Sequence, residues 1–269
     1  MAEMMVNGVR IVYELSGECD VGVLKAPIVL LNGIAMSISH WKPLIAALPA
    51  GTCCLSHDFR GQTLSGKPAG PYSLAMHAKD LVDLMDALHI ERGHIVGTSY
   101  GSEVAMEFAM LYPERCASLV VIDGVSELDP VLEAAVVSWM EAARKDARLF
   151  YKTMLPWTYS SNYIAAHRDM LTAREDGMAA LPAEWFAAFV ELCKAFLKIN
   201  QTQRLKQISC PATVLVGEKD ILKHRGFSEI IARNIPGAVM HVIPDAGHAV
   251  VIERPALCAE EIWQAVSLR

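Results

Sequence analysis

A serine set between two glycines, Gly97-Thr-Ser-Tyr-Gly101, offers the clearest chemistry in the chain. It follows an apolar run, His94-Ile-Val96, and opens a stretch with helical character, Ser102 to Tyr112, that stops at Pro113. A sharp strand-to-helix turn lifts a serine oxygen clear of a sheet and holds Ser99 in strained backbone geometry. Glycines on either side avoid clashes across that turn. The helix N-terminus behind Ser99 supplies N–H groups and a favourable dipole for developing negative charge. The chemistry this suits is nucleophilic acyl transfer.

A serine hydroxyl is a poor nucleophile until a base takes its proton, and the base needs a third group to orient it. For a serine on such a turn, the order along the chain is serine, acid, histidine. Asp220 follows the apolar run Ala212–Val216, within Gly217-Glu-Lys-Asp220. His248 follows the run Val239–Ile243, within Pro244-Asp-Ala-Gly-His248. Both fall where open α/β sheets build their sites, at the carboxyl ends of strands. Taken singly, an aspartate in a turn is a solvated cap and a histidine is unremarkable. Their joint occurrence in this order assigns them to one triad with Ser99. Asp123, after the run Leu119–Ile122, is the competing acid, and Glu218 is a weaker one. Two N–H donors must also face the tetrahedral oxygen. The amide of Tyr100 is one. The other is assigned to Ile34, in the loop Asn32-Gly-Ile-Ala35, where Gly33 permits a tight turn.

These residues need a scaffold, and the apolar pattern supplies one. Arg10–Glu14, Pro27–Leu31, Thr52–Phe59, His94–Val96, Leu119–Ile122, Ala212–Val216 and Val239–Ile243 read as strands, and several are continuous apolar runs suited to strands covered on both faces. Helix-period stretches lie between them. Leu74, Ala78, Leu81, Met85 and Leu88 form one, with Ser73 placed to cap it. Another starts at Pro255. The alternation implies an α/β fold with a mostly parallel central sheet flanked by helices. It breaks between residues 128 and 207, where helical patterns run without strands: Glu133–Phe150 and Ala183–Leu197, with Leu155–Ser161 as a loop. The expected organisation is a core of residues 1–127 and 208–269 with a helical cap insertion at 128–207.

Composition narrows the field. The chain has 269 residues and a net charge of −6, with no strongly basic stretch, so nothing supports nucleic-acid binding. No apolar run is long enough for a membrane span. The N-terminal stretch is acidic and lacks a signal-peptide core. The seven cysteines are scattered without a CxxC pair, so reduced thiols in a cytoplasmic protein are the expectation. Cys53, Cys54 and His57 lack zinc-ligand spacing, and no metal site is expected. Lys223-His224-Arg225 reads as a solvated loop, while His40 stays a pocket candidate. Ten of the 19 aromatic residues fall between Trp139 and Phe196. The insertion is therefore expected to offer an apolar surface for an acyl or ring portion of a small-molecule substrate.

With these residues in place, the chain resembles the α/β-hydrolase superfamily nearly end to end. Besides the serine motif, the resemblance rests on Asp58-Phe-Arg-Gly61 with Ser65 and Pro68, Gly70-Pro-Tyr-Ser73, Tyr112-Pro-Glu-Arg115, Gly217-Glu-Lys-Asp220 and Ala246-Gly-His248. It implies a helical cap over the active site and no cofactor. Many members carry His-Gly where this chain has Asn32-Gly33. Enol-lactonases and some acyl-transferring relatives also depart from His-Gly there. Dehalogenases and epoxide hydrolases, with an aspartate at the Ser99 position, are poor matches. The expected activity is a serine hydrolase of the carboxylesterase or lactonase type, cleaving an ester, lactone or thioester through an acyl-enzyme. The rival readings are an acyltransferase using coenzyme A or a carrier protein, and a non-catalytic small-molecule receptor on the same scaffold.

Overall fold

A computed structural model describes residues 1–17, 19 and 24–267. Its centre is an eight-stranded sheet in the order β1-β2-β4-β3-β5-β6-β7-β8. The strands are β1 (Ala2–Val6), β2 (Val9–Ser16), β3 (Ile28–Leu31), β4 (Cys54–His57), β5 (Gly93–Thr98), β6 (Cys116–Ile122), β7 (Ala212–Gly217) and β8 (Val239–Ile243). From β4 onward in this order the strands pair in parallel; only β1 with β2 and β2 with β4 are antiparallel. The mostly parallel α/β sheet expected from the sequence is therefore the architecture found.

Period-two alternation divides the core into two layers. Val29, Leu31, Leu55, Ile95, Leu119 and Val121 pack on one face, against helices α2 (Leu74–Ala87) and α3 (Tyr100–Leu111). Ile28, Leu30, Cys54, Val96, Val120 and Ile122 pack on the other, with Trp41, Leu44, Cys258 and Ile262 from α1 (Lys42–Ala47), the residue before it, and α11 (Pro255–Ser267). Each fully buried aliphatic side chain contributes roughly 1.5–3 kcal/mol, which fixes the register on which the site depends. Ser73 caps α2 as expected, its hydroxyl accepting from the Met76 amide at 3.1 Å.

Five α-helices lie between β6 and β7: α4 (Pro130–Lys145), α5 (Ala147–Thr158), α6 (Ser161–Ala166), α7 (Arg168–Ala179) and α8 (Ala183–Phe196). After β7 come α9 (Arg225–Asn234) and, beyond β8, α10 (Val250–Glu253). Two expectations about this region are corrected. The stretch Glu133–Phe150 is not one helix, because Asp146 leaves α4 in extended geometry and caps α5 by accepting from the Leu149 amide at 2.7 Å. Leu155–Ser161 is not all loop, because α5 continues through Pro156 to Thr158. Proline in a last turn forfeits only one backbone donor, and that turn is held from outside by the Ala249 amide bonding Thr158 O at 2.7 Å.

The cysteine expectation is also corrected. Cys19 and Cys53 form a disulfide, while Cys54, Cys116, Cys193, Cys210 and Cys258 are free and buried. Chain folding brings two distant, unpatterned cysteines together across 34 positions, which spacing alone does not reveal. No helix among the described residues is long and apolar enough to cross a membrane.

Candidate active site

Ser99 sits between the last residue of β5 and the first of α3, at φ 51° and ψ −119°. For a residue with a Cβ this is an uncommon, strained conformation. Close packing enforces it. A Cβ on Gly97 would stand 2.1 Å from Gly101 O, and one on Gly101 would stand 2.1 Å from Leu31 O. The serine amide bonds Ile122 O at 2.8 Å. Ser102, one turn on, ties the helix to both strands through Gly97 O and Ile122 O at 2.7 and 2.8 Å.

Asp220 follows β7 and His248 follows β8. The two loops touch so closely that a Cβ on Gly217 would meet Gly247 O at 2.4 Å. His248 Nδ1 lies 2.8 Å from Asp220 Oδ2, and its Nε2 lies 2.8 Å from Ser99 Oγ. A carboxylate only accepts, so Nδ1 carries the proton and the Nε2 lone pair receives the serine O–H. Asp220 Oδ1 accepts from the Leu222 and Lys223 amides at 2.8 and 2.9 Å. Burial pulls the Asp220 carboxyl up, but the His248 charge and these hydrogen bonds outweigh it and hold the group below the usual carboxylate range. The three residues singled out in the sequence are thus brought into one hydrogen-bonded line.

Asp123, the competing acid, is also here, and fully buried. It does not touch the histidine as Asp220 does. Its Oδ1 accepts from the Gly217 amide at 2.8 Å, while its Oδ2 has no partner among the described residues. Ligating atoms of Asp123, Asp220 and His248 lie within 4.8 Å of one another, and among the described residues this is the one trio close enough to hold a metal ion. The hydrogen bonds show another use of the space. Burial, then the neighbouring Asp220 charge, pushes the Asp123 carboxyl well above its usual range, so ionisation beside Asp220 is disfavoured. Glu218, the weaker competitor, is exposed and accepts from the Asp245 amide.

The Tyr100 amide opens α3 and has no partner within the helix. The Ile34 amide is engaged by no other described group, and its loop passes so near the serine that a Cβ on Gly33 would stand 3.4 Å from Ser99 Cβ. Asn32, Asp58 and Gln62 form a buried network beneath this loop. Trp41 Nε1 donates to Asn32 Oδ1 at 2.7 Å, Asn32 Nδ2 donates to Asp58 Oδ1 at 3.0 Å, and Gln62 Nε2 donates to Gly33 O at 2.8 Å. Gln62 was not singled out in the sequence. It lies next to the Asp58–Gly61 motif, which was the available signal.

A cavity of about 500 Å³ opens over Ser99 and His248. Ile34, Leu132, Trp139, Phe150, Met154 and Trp185 are among its apolar walls, so aromatic residues of the insertion line the same cavity as the serine. Part of that aromatic set is instead helical core: Phe189 is buried, stacked on Trp185 with centroids 5.7 Å apart. His40 lines the cavity, as was considered for it. Burial, then the nearby Arg174 charge, lowers its pKa. Lys223 corrects an expectation. It is 2% exposed, not solvated, and its ammonium lies 2.9 and 3.0 Å from the Glu103 carboxylate.

The model of the alpha/beta hydrolase family matches residues 28–261. A Caulobacter segnis protein named "Putative carbamate hydrolase RutD" is 27% identical over 250 residues, covering 91% of this chain and 92% of that one. The enol-lactonase from Burkholderia xenovorans LB400 is 25% identical with a TM-score of 0.89, covering 99% and 100% of the two chains. An alpha/beta hydrolase enzyme from a Medee basin deep-sea metagenome library, MGS-M2, is 25% identical with a TM-score of 0.91, covering 98% and 96%. The chain belongs to the alpha/beta hydrolase family.

Proposed function

We propose that this chain is a serine hydrolase that cleaves a carboxylic ester, lactone or thioester through an acyl-enzyme on Ser99. The observation that carries this reading is the unbroken line Asp220–His248–Ser99, with both contacts at 2.8 Å. The Ser99 oxygen attacks the carbonyl carbon as its proton passes to His248 Nε2. The imidazolium is held by the Asp220 carboxylate, and the carbonyl oxygen, now negative, faces the Ile34 and Tyr100 N–H groups. Collapse breaks the bond to the leaving oxygen or sulfur, which takes the proton from Nε2. Water then attacks the acyl-enzyme and gives a proton to the same nitrogen, which passes it to Ser99 Oγ as the acid is released. Residues 128–207 act as the cap that shields this sequence from bulk water, over a core of residues 1–127 and 208–269.

One relative is named a putative carbamate hydrolase and another an enol-lactonase; carbamates and enol-lactones are acyl derivatives open to the same steps, so both groups belong in the substrate panel with short p-nitrophenyl esters. The wild type is expected to turn over at least one of them and to be labelled by a fluorophosphonate. Ser99→Ala is expected to do neither. A wild-type protein as inert as Ser99→Ala overturns the reading. Acid as the sole product, with or without an alcohol or thiol acceptor, separates hydrolysis from acyl transfer.

A further inference from the structure

Two permanent cations line the cavity, Arg174 and Lys223. Lys223 is neutralised by Glu103. Arg174 has no acidic partner among the described residues. Its neighbours on α7, Glu175 and Asp176, are taken by Arg148 and Lys152. Glu253, whose charge reaches Tyr159, is occupied by the Ser160 amide and hydroxyl and by the Gly247 amide. Arg174 instead donates to the hydroxyl of Tyr159 and lies over its ring, 5.9 Å from the centroid.

That hydroxyl accepts from Arg174, so its own proton is free to be donated elsewhere. The positive charge is felt around this end of the cavity. Burial lowers His40 and Arg174 lowers it further, and burial raises Tyr151, Tyr159 and Tyr163 while Arg174 opposes the rise at all three. A half-buried guanidinium without a counter-charge, set in a largely apolar wall, is a site for a planar anion. Its fork of N–H donors matches a carboxylate, and such charge-assisted pairs are roughly twice as strong as neutral hydrogen bonds. A single cation suits a monoanion better than a dianionic phosphate.

We infer that Arg174, together with the Tyr159 hydroxyl, forms an anion subsite, and that the substrate carries a carboxylate at the end remote from its scissile bond. This rests on the serine-hydrolase reading and adds a substrate class to it. The test compares methyl hemi-esters of C5 to C8 dicarboxylic acids with the matching neutral dimethyl esters, followed by pH-stat. The wild type is expected to favour the hemi-ester in kcat/KM by about tenfold or more. Arg174→Gln is expected to erase that preference, mainly through KM, and Arg174→Lys to restore part of it. Binding of the same hemi-ester and diester to Ser99→Ala protein, by calorimetry, reads the subsite without turnover. There too a tenfold preference is expected, lost in the Ser99→Ala/Arg174→Gln protein. Turnover of neutral esters with no hemi-ester preference, or a preference that survives Arg174→Gln, overturns the subsite alone. Absence of turnover and of fluorophosphonate labelling overturns the hydrolase reading beneath it.

Discussion

The Gln62 side-chain amide donates to the carbonyl oxygen of Gly33 at 2.8 Å, and that carbonyl shares a rigid peptide plane with the Ile34 N–H. Gln62 is therefore placed to aim the N–H proposed as an oxyanion donor, which it does not itself supply. Its own amide oxygen is held by the Phe59 amide at 3.1 Å and by Asn32 Nδ2 at 3.3 Å. Gln62→Leu is expected to lower kcat by about 10- to 100-fold with little change in KM, since a mis-aimed donor is lost chiefly in the transition state. Steady-state kinetics on a protein whose circular dichroism matches wild type checks this. An unchanged kcat removes Gln62 from the positioning role.

The two buried acids near His248 are expected to respond differently to the same substitution. Asp220→Asn removes the carboxylate that orients the imidazole and is expected to cost up to about 10⁴ in turnover. Asp123→Asn replaces a carboxyl whose ionisation is disfavoured with a neutral amide that can still accept from Gly217. It is expected to stay within about threefold of wild type, since no charge is removed. Comparable losses in both variants show that Asp123 is ionised and shares the acid's role.

Stability is expected to fall on mild acidification because of two histidines outside the site. His57 and His77 are fully buried beside Phe59, none of their ring nitrogens has a partner among the described residues, and burial depresses them to about 4 and about 3. The unfolded chain takes up protons below pH 6.5 that the folded chain refuses. Each histidine then costs about 1 kcal/mol per pH unit as the pH falls from 6.5 toward its folded value. Urea unfolding at pH 7, 6 and 5 reads the slope. His77→Leu is expected to flatten it, and a slope unaffected by that change excludes His77 as a source.

Lys223 and Glu103 form a buried ion pair between the loop that carries Asp220 and helix α3. Lys223→Met strands a buried carboxylate and is expected to destabilise the fold by about 3–5 kcal/mol, whereas adding Glu103→Gln recovers most of the loss. Denaturant midpoints of the single and double variants decide it. Additive losses exclude direct coupling.

Much of this arrangement is legible in the sequence because parallel strands covered on both faces read as continuous apolar runs. Ile28–Leu31 and Ala212–Gly217 are of that kind, and each ends close to a residue of the site. The Ser99 turn is legible because its glycines are demanded by backbone, not by ligand. What escapes notice is set by long-range contact. The strand Ala2–Val6 is a half-exposed antiparallel edge with a mixed pattern. The break at Asp146 depends on a cap inside an apolar periodicity that runs straight through it. Lys223 looks solvated until Glu103, 120 positions away, is seen beside it. Arg174 is one charge in a polar helix until the fold brings it to the cavity that His40 also lines.

Mass spectrometry of protein quenched during turnover of p-nitrophenyl acetate asks whether the serine at the end of the Asp220–His248 line forms the acyl-enzyme. An acetyl group on the peptide containing Ser99, absent from Ser99→Ala, is the expected result. Turnover that persists in Ser99→Ala, or acetyl found only elsewhere in the chain, rules out Ser99 as the nucleophile.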